Sequence, residues 1–265
     1  RFADGSIRDV THLSQFSLSD PTVANASTSG LITGVNRGET AVIVRYLEFI
    51  ETPLLTFVQD VDDFVWNDPQ TFNYVDGHVD QKLKQLQYQP AEVCSDETFV
   101  RRVYLDVLGT LPTIEEADRF LADASEEKRK RLIDELSGRP DFALFWAQKW
   151  GDLLRVSRKQ IGLNSVFKYS QWLQAAISNN MPYDQFAREL LTASGSTITS
   201  PAGNYFRTAG ETLDAMESTA QLFMGTRIQC AKCHNHPFER WTQSNYYGLA
   251  SFFNRIERRK TDQPE

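Results

Sequence analysis

Two of the chain's three cysteines and two of its four histidines fall within seven residues, Cys230-Ala231-Lys232-Cys233-His234-Asn235-His236. Cys-x-x-Cys-His is the attachment pattern of c-type haem. Two thiols three positions apart can each form a thioether with a haem vinyl group, and the adjacent imidazole then lies under the iron as proximal ligand. On this reading Cys230 and Cys233 carry one covalent haem c and His234 binds its iron. Other chemistries use the same letters. A redox dithiol fits poorly, because no βαβ pattern surrounds the pair. A zinc site normally draws a second ligand pair from a distant segment, and only Cys94, His12 and His78 remain to supply it. Closing Cys230, Cys233, His234 and His236 around one tetrahedral ion would strain the backbone. Haem ranks first, zinc second and a structural disulfide third.

The ligand on the far side of the iron is left open. Met216 and Met224 lie nearby in sequence, and methionine raises the potential, but both also read as core packing. Met181 is more remote. His236 is too close to His234 to reach the opposite face, though it could support the proximal ligand or bind another metal. His78 is the remaining nitrogen donor and otherwise reads as a surface histidine. Five-coordinate iron would favour ligand binding or peroxide chemistry. Glu239 and Arg240 could interact with haem propionates, Arg240 as the direct ion-pair partner. Phe238 and Trp241 read as pocket aromatics or ordinary core, and Cys94 as a buried free thiol.

The elements that hold these residues divide into two kinds. With 265 residues, a net charge of −7 and 41% hydrophobic residues, the chain can build one large domain or two. The acidic balance and the lack of a basic stripe interleaved with aromatics argue against nucleic acid. Glu126-Glu127-Lys128-Arg129-Lys130-Arg131 reads as a solvated helix face. No apolar run approaches a membrane span, and three cysteines make no disulfide framework. The opening Arg1-Phe2-Ala3-Asp4-Gly5 reads as the interior of a longer, processed or truncated chain.

Residues 1–58 read as β structure. Short runs at 6–10, 16–18, 31–35 and 40–47 are punctuated by Ser19-Asp20-Pro21, Ser29-Gly30 and Asn36-Arg37-Gly38, which suggests a small sandwich. The succession 19–24, 29–35 and 37–44 resembles the C-terminal two-thirds of the bacterial Ig-like group 2 family. That resemblance implies a spacer or adhesive unit in an exported protein. His12 reads as a surface or turn histidine. Residues 59–72 read as a linker. Its Asp60, Asp62 and Asp63 suit calcium in type but match no EF-hand spacing.

From Tyr74 the apolar period changes to 3.6. Helices are expected at about 74–87, 96–108, 113–123, 126–137, 140–155, 164–178, 183–193, 210–225 and 242–256. Thr113-Ile114-Glu115-Glu116 is a capping box, and Gly109, Pro112, Gly138 and Pro140 punctuate. The Ser-, Thr- and Gly-rich stretch 194–208 reads as a cover or flexible excursion. Its Ser194, Ser196 and Thr197 lack the Gly-x-Ser-x-Gly elbow of a hydrolase. The expected architecture is multidomain: a partial all-β Ig-like sandwich (1–58), a linker (59–72), a mostly α-helical domain (73–256) and a tail (257–265).

Within the helical half, Arg101 to Gly109 leads to Leu111-Pro112-Thr113, and Lys130 to Leu136 leads to Arg139-Pro140-Asp141-Phe142. Trp150-Gly151-Asp152-Leu153-Leu154-Arg155, Pro182 to Phe186, Thr219 to Gly225 and Cys230 to Gln243 follow. These blocks resemble the second planctomycete cytochrome-like family, a domain of unknown function named for its Cys-x-x-Cys-His. The resemblance runs over about 73–256 and implies a large exported protein, commonly with a further domain downstream. The family usually has Asp between the two histidines, where this chain has Asn235. The combined expectation is a c-type haem module for electron transfer, periplasmic or at the cell surface, with an unidentified redox partner. The alternative is a non-haem structural or binding module whose Cys/His cluster holds a metal ion or disulfide. An enzyme acting on extracellular polymer would need the downstream domain, because no carboxylate pair or nucleophile motif stands out here.

Overall fold

A computed structural model describes residues 5–47, 49–236 and 240–259. Strands come first: β1 (Gln15–Leu18), β2 (Ala24–Ala26), β3 (Ile32–Gly34), β4 (Gly38–Tyr46), β5 (Phe49–Glu51) and β6 (Leu54–Phe57). The long β4 is central because its run Thr40-Ala41-Val42-Ile43-Val44 is rich in β-branched residues, which suit a pleated, half-buried surface. It pairs antiparallel with β1 (Phe16 opposite Val44), β5 (Val44 opposite Glu51) and β6 (Thr40 opposite Leu55). β2 and β3 form a separate antiparallel hairpin. Two glycines let this hairpin approach aromatic rings of the larger sheet. A Cβ on Gly30, whose φ is +83°, would lie 2.7 Å from Cζ of Phe16, and one on Gly34 would collide with Phe57. These small antiparallel sheets agree with the expected all-β start.

The details differ from expectation in several places. Residues 6–10 form no strand, because the Asp9 carboxylate accepts from Thr11 N at 2.8 Å and turns the chain into a 3-10 segment at Thr11–Leu13. The short strands β2, β5 and β6 were not expected.

The helices are α1 (Tyr74–Gln85), α2 (Asp96–Leu108), α3 (Ile114–Ala122), α4 (Lys128–Ser137), α5 (Pro140–Leu153), α6 (Arg158–Ile161), α7 (Leu163–Ser178), α8 (Tyr183–Thr192), α9 (Asn204–Thr208), α10 (Thr212–Met224) and α11 (Gln243–Ser251). They divide between two compact units. Arg1–Glu92 with Gln229–Tyr246 form the first; Val93–Ile228 with Tyr247–Glu265 form the second. Thus α1, expected to open the helical domain, belongs with the strands. The Arg37 guanidinium lies 3.8 Å over the Tyr88 ring and donates to Gln87 O at 2.7 Å, while Lys82 pairs with Glu39 at 2.8 Å. The linker is tied in as well, since Gln87 accepts from Val61 N and donates to the Asp60 carboxylate.

In the second unit, Val100, Val103, Tyr104 and Leu108 of α2 bury against Phe120 of α3 and Leu132 and Leu136 of α4. Burying each large apolar side chain contributes about 1.5–3 kcal/mol. Ser95 caps α2, and Thr113 and Glu116 form the expected box on α3. Tyr169 and Leu173 of α7, Phe186 and Leu190 of α8 and Met216 of α10 are also buried. The Phe186 ring stacks on Trp172 at 5.3 Å.

The stretch 194–208 is not a loose cover. It contains a 3-10 turn at Pro201–Gly203 and then α9, and it buries Ala202, Asn204, Tyr205, Phe206 and Thr208. Its polar groups can be buried because they are paired. Asn204 donates to the carbonyls of Thr197 and Pro201, and Arg207 donates to Ser165 Oγ at 2.8 Å. The aromatic pair Tyr205-Phe206 was the overlooked signal.

Candidate functional site

The motif is built by a helix stop, a tight turn and a helix start. α10 ends at Gly225 in the left-handed region, φ 64°, and the chain tightens into a 3-10 turn at Gln229–Lys232. Cys230 lies within that turn, and Cys233 follows directly after its last residue. Ala231, between them, is fully buried, whereas Cys230, Lys232, Cys233 and His234 are exposed. The turn is therefore seated by a methyl group and presents its reactive groups outward. Both thiols are free, so no disulfide joins them.

His234 Nδ1 lies 2.7 Å from the carbonyl oxygen of Asn235. A carbonyl only accepts, so Nδ1 carries the proton and Nε2 keeps the lone pair that can bind a metal. A backbone acceptor behind one ring nitrogen is the usual device for orienting a metal-binding imidazole. Asn235 also works through its side chain, where Oδ1 accepts from Gln243 N at 3.2 Å at the start of α11. Gln243 Nε2 donates back to Lys232 O at 3.0 Å. His236 N donates to Trp241 O at 2.8 Å, closing the loop between motif and helix. Thr242 and Asn245 cap that helix start reciprocally, with Asn245 N donating to Thr242 Oγ1 and Thr242 N to Asn245 Oδ1. The motif is thus clasped on both flanks by the first residues of α11. Asn235 and Gln243 were not expected in this role.

The other expected participants are distributed as follows. The Arg240 guanidinium lies 5.2 Å from the centre of the Trp241 ring, an exposed cation beside the motif. Phe238 and Glu239 fall outside the described residues. Met216 and Met224 belong to the second unit. Met216 is wholly buried in its core, and Met224 is half-exposed. Cys94 is partly buried, and its carbonyl accepts from Arg129. His78 stands on α1 in an open groove of about 330 Å³ lined by Val75, Val79, Lys82 and Leu83. His12 sits on the exposed 3-10 segment.

Among the described residues, no group of three or more His, Cys, Asp or Glu side chains gathers as a metal site. Cys230, Cys233, His234 and His236 are all described, so they do not close around one ion. Two free, exposed thiols and an imidazole oriented by the Asn235 carbonyl are residues that fit a covalently attached haem. Among the described residues no helix is long and apolar enough to cross a membrane.

Comparison with known proteins gives one positive result. No curated protein and no solved structure matches the chain. A family model covers residues 74–258, from the first residue of α1 to beyond α11. The chain belongs to the PSCyt2 family, described as a protein family of unknown function (DUF1549).

Proposed function

We propose that the chain is a c-type haem-binding electron-transfer module of an exported multidomain protein. One observation carries the reading. Two free, exposed thiols stand at and just after a 3-10 turn, and the next residue is an imidazole whose Nδ1 is held by a backbone carbonyl. When bound, haem supplies a one-electron iron couple.

The chain's own residues have separable tasks. Cys230 and Cys233 would anchor the group through thioethers, each thiol's sulfur and hydrogen being added across one vinyl double bond. His234 would offer Nε2 to the iron. Arg240 is an exposed cation for a propionate. Gln243 and Asn235 keep the turn and the imidazole in register. Thioether attachment of this kind belongs outside the cytoplasmic membrane, which is why the reading includes export to the periplasm or cell surface. The strand region then serves as an Ig-like spacer, the redox partner is a separate protein, and a further domain lies downstream.

The test is to make the protein with c-type maturation, record its optical spectrum and stain a denaturing gel for haem. Haem should migrate with the polypeptide, and C230S/C233S together should abolish the band. A colourless protein with both thiols still titratable would refute the haem reading, and stoichiometric zinc in that protein would favour a metal-stapled helical module instead.

A further inference from the structure

We propose that Gln243 is the positioning residue of the second thiol: its side-chain amide holds Cys233 in place, while Cys230 is held by a separate device. The inference rests on the haem reading above and deepens it, assigning how each of the two attachment points is fixed.

The first observation is where the two bonds of Gln243 fall. Its Nε2 donates to Lys232 O at 3.0 Å, and its backbone N donates to Asn235 Oδ1 at 3.2 Å. The residues between these two acceptors are Cys233 and His234. A carbonyl only accepts, so the amide turns its NH₂ end toward Lys232. The Lys232 carbonyl and the N and Cα of Cys233 lie in one peptide plane. Fixing that oxygen therefore fixes the plane from which the Cys233 side chain departs.

The second observation is that the two cysteines are seated differently. Cys230 lies inside the 3-10 turn Gln229–Lys232, beside Ala231, which is fully buried. Cys233 comes after the last residue of the turn, and both it and His234 are exposed. Burial of a methyl group seats the first half of the motif. Polar bonds from α11 seat the second.

The third observation is that Gln243 is itself anchored. It is the first residue of α11, where backbone N–H groups lack partners inside the helix, and Asn235 Oδ1 supplies one. Thr242 and Asn245 cap the same end. Tyr246 N donates to Thr242 O at 3.1 Å, and the Tyr246 side chain is 1% exposed. The amide thus reaches back to the motif from a fixed base. Closing a thioether at Cys233 needs position, whereas attack on a small reagent needs only access. Loss of the amide donor should move these two reactions in opposite directions.

The experiment uses the full chain. Gln243→Glu keeps the side-chain length and the backbone donor but loses the N–H that faces Lys232. It also puts an acid at a helix start, where a negative charge is favourable, so the fold is kept, as a urea midpoint checks. In protein without haem, iodoacetamide labelling of Cys233 relative to Cys230 should rise about two- to ten-fold, the weight of one hydrogen bond. Trypsin cuts at Lys232, between the two cysteines, so peptide mass spectrometry reads them separately. After c-type maturation the same variant should carry a larger share of haem held through Cys230 alone. The pyridine haemochrome band then moves to longer wavelength, because one vinyl group stays conjugated. Ser244→Ala, at the next exposed residue, should change neither readout.

An unchanged labelling ratio in Gln243→Glu, or an equal gain at both thiols, would overturn the inference. Single attachment through Cys233 in place of Cys230 would do the same. Absence of covalent haem from wild type would overturn the haem reading, and the labelling ratio would still decide whether Gln243 holds Cys233.

Discussion

Replacing Ala231 tests whether the motif is held as the structure says. The pattern Cys-x-x-Cys-His leaves this position free, and a larger residue would keep both thiols and the imidazole of the motif. The structure makes it the one wholly buried residue of the turn, at 0% exposure between two exposed cysteines. Ala231→Leu adds three heavy atoms where there is no room. Overpacking of this kind costs about 1–3 kcal/mol, and each 1.4 kcal/mol is about a factor of ten in population. Lys232→Leu makes a similar chemical change one residue later, on an exposed side chain, and should stay within about 0.5 kcal/mol of wild type. Amide hydrogen exchange is the direct assay. Peptides covering 229–243 should exchange about five- to a hundred-fold faster in Ala231→Leu than in Lys232→Leu, while helices of the second unit stay unchanged. A urea midpoint should fall in parallel at constant slope. Equal protection in the two variants would refute the seated turn and, with it, the argument that the turn presents its thiols outward.

Three further outcomes follow from named contacts. Asn235→Asp keeps the acceptor for Gln243 N and adds a negative charge at a helix start; it should stabilise by about 0.3–1 kcal/mol at low salt, fading as salt rises, whereas Asn235→Ala should destabilise, both read by thermal melts. Gly109→Ala should be worse than Gly225→Ala. Both glycines have positive φ, which costs an L-residue about 1–2 kcal/mol, but a Cβ at 109 would also invade the Phe145 ring, whereas at 225 nothing lies within 4 Å; chemical denaturation measures the difference. Acid should loosen the second unit through Asp96, whose carboxyl is held below its usual range first by the hydrogen bond from Lys128 and then by that from Arg129. A depressed folded-state pKa means the contribution is present at neutral pH and is lost as pH falls through and below about 4, so Asp96→Asn should flatten that limb of a stability–pH profile.

What the sequence made legible was local and chemically explicit. The β-branched run of β4, the Thr113–Glu116 box and the stop at Gly109 each announce themselves in a few letters, and helix positions follow from them to within a few residues. Cys230, Cys233 and His234 stand out as a candidate trio because spacing alone relates two thiols and one imidazole. What was not legible depends on partners far along the chain. Nothing near residue 74 says that α1 joins the strands, because the reason lies in Arg37 and Glu39. The polar stretch 194–208 looked exposed because Asn204 is satisfied by carbonyls of Thr197 and Pro201 that only the folded turn aligns, and Arg207 by Ser165 of the distant α7. Ala231 gave no signal at all, since a small residue reads the same whether buried or not.

The first unit is discontinuous: its strands and α1 are made early, and Gln229–Tyr246 joins them only after the chain has threaded α2 to α10. Such long-range closure is entropically late, so during synthesis the strand region and α1 emerge well before the segment that completes their unit. The two exposed cysteines would then be displayed on a segment that has yet to join its unit. The same topology sets a rule for fragments. Excising the family-matched stretch 74–258 alone removes Arg37 and Glu39 from α1, so a self-sufficient piece must begin before the strands rather than at the helix where the match begins.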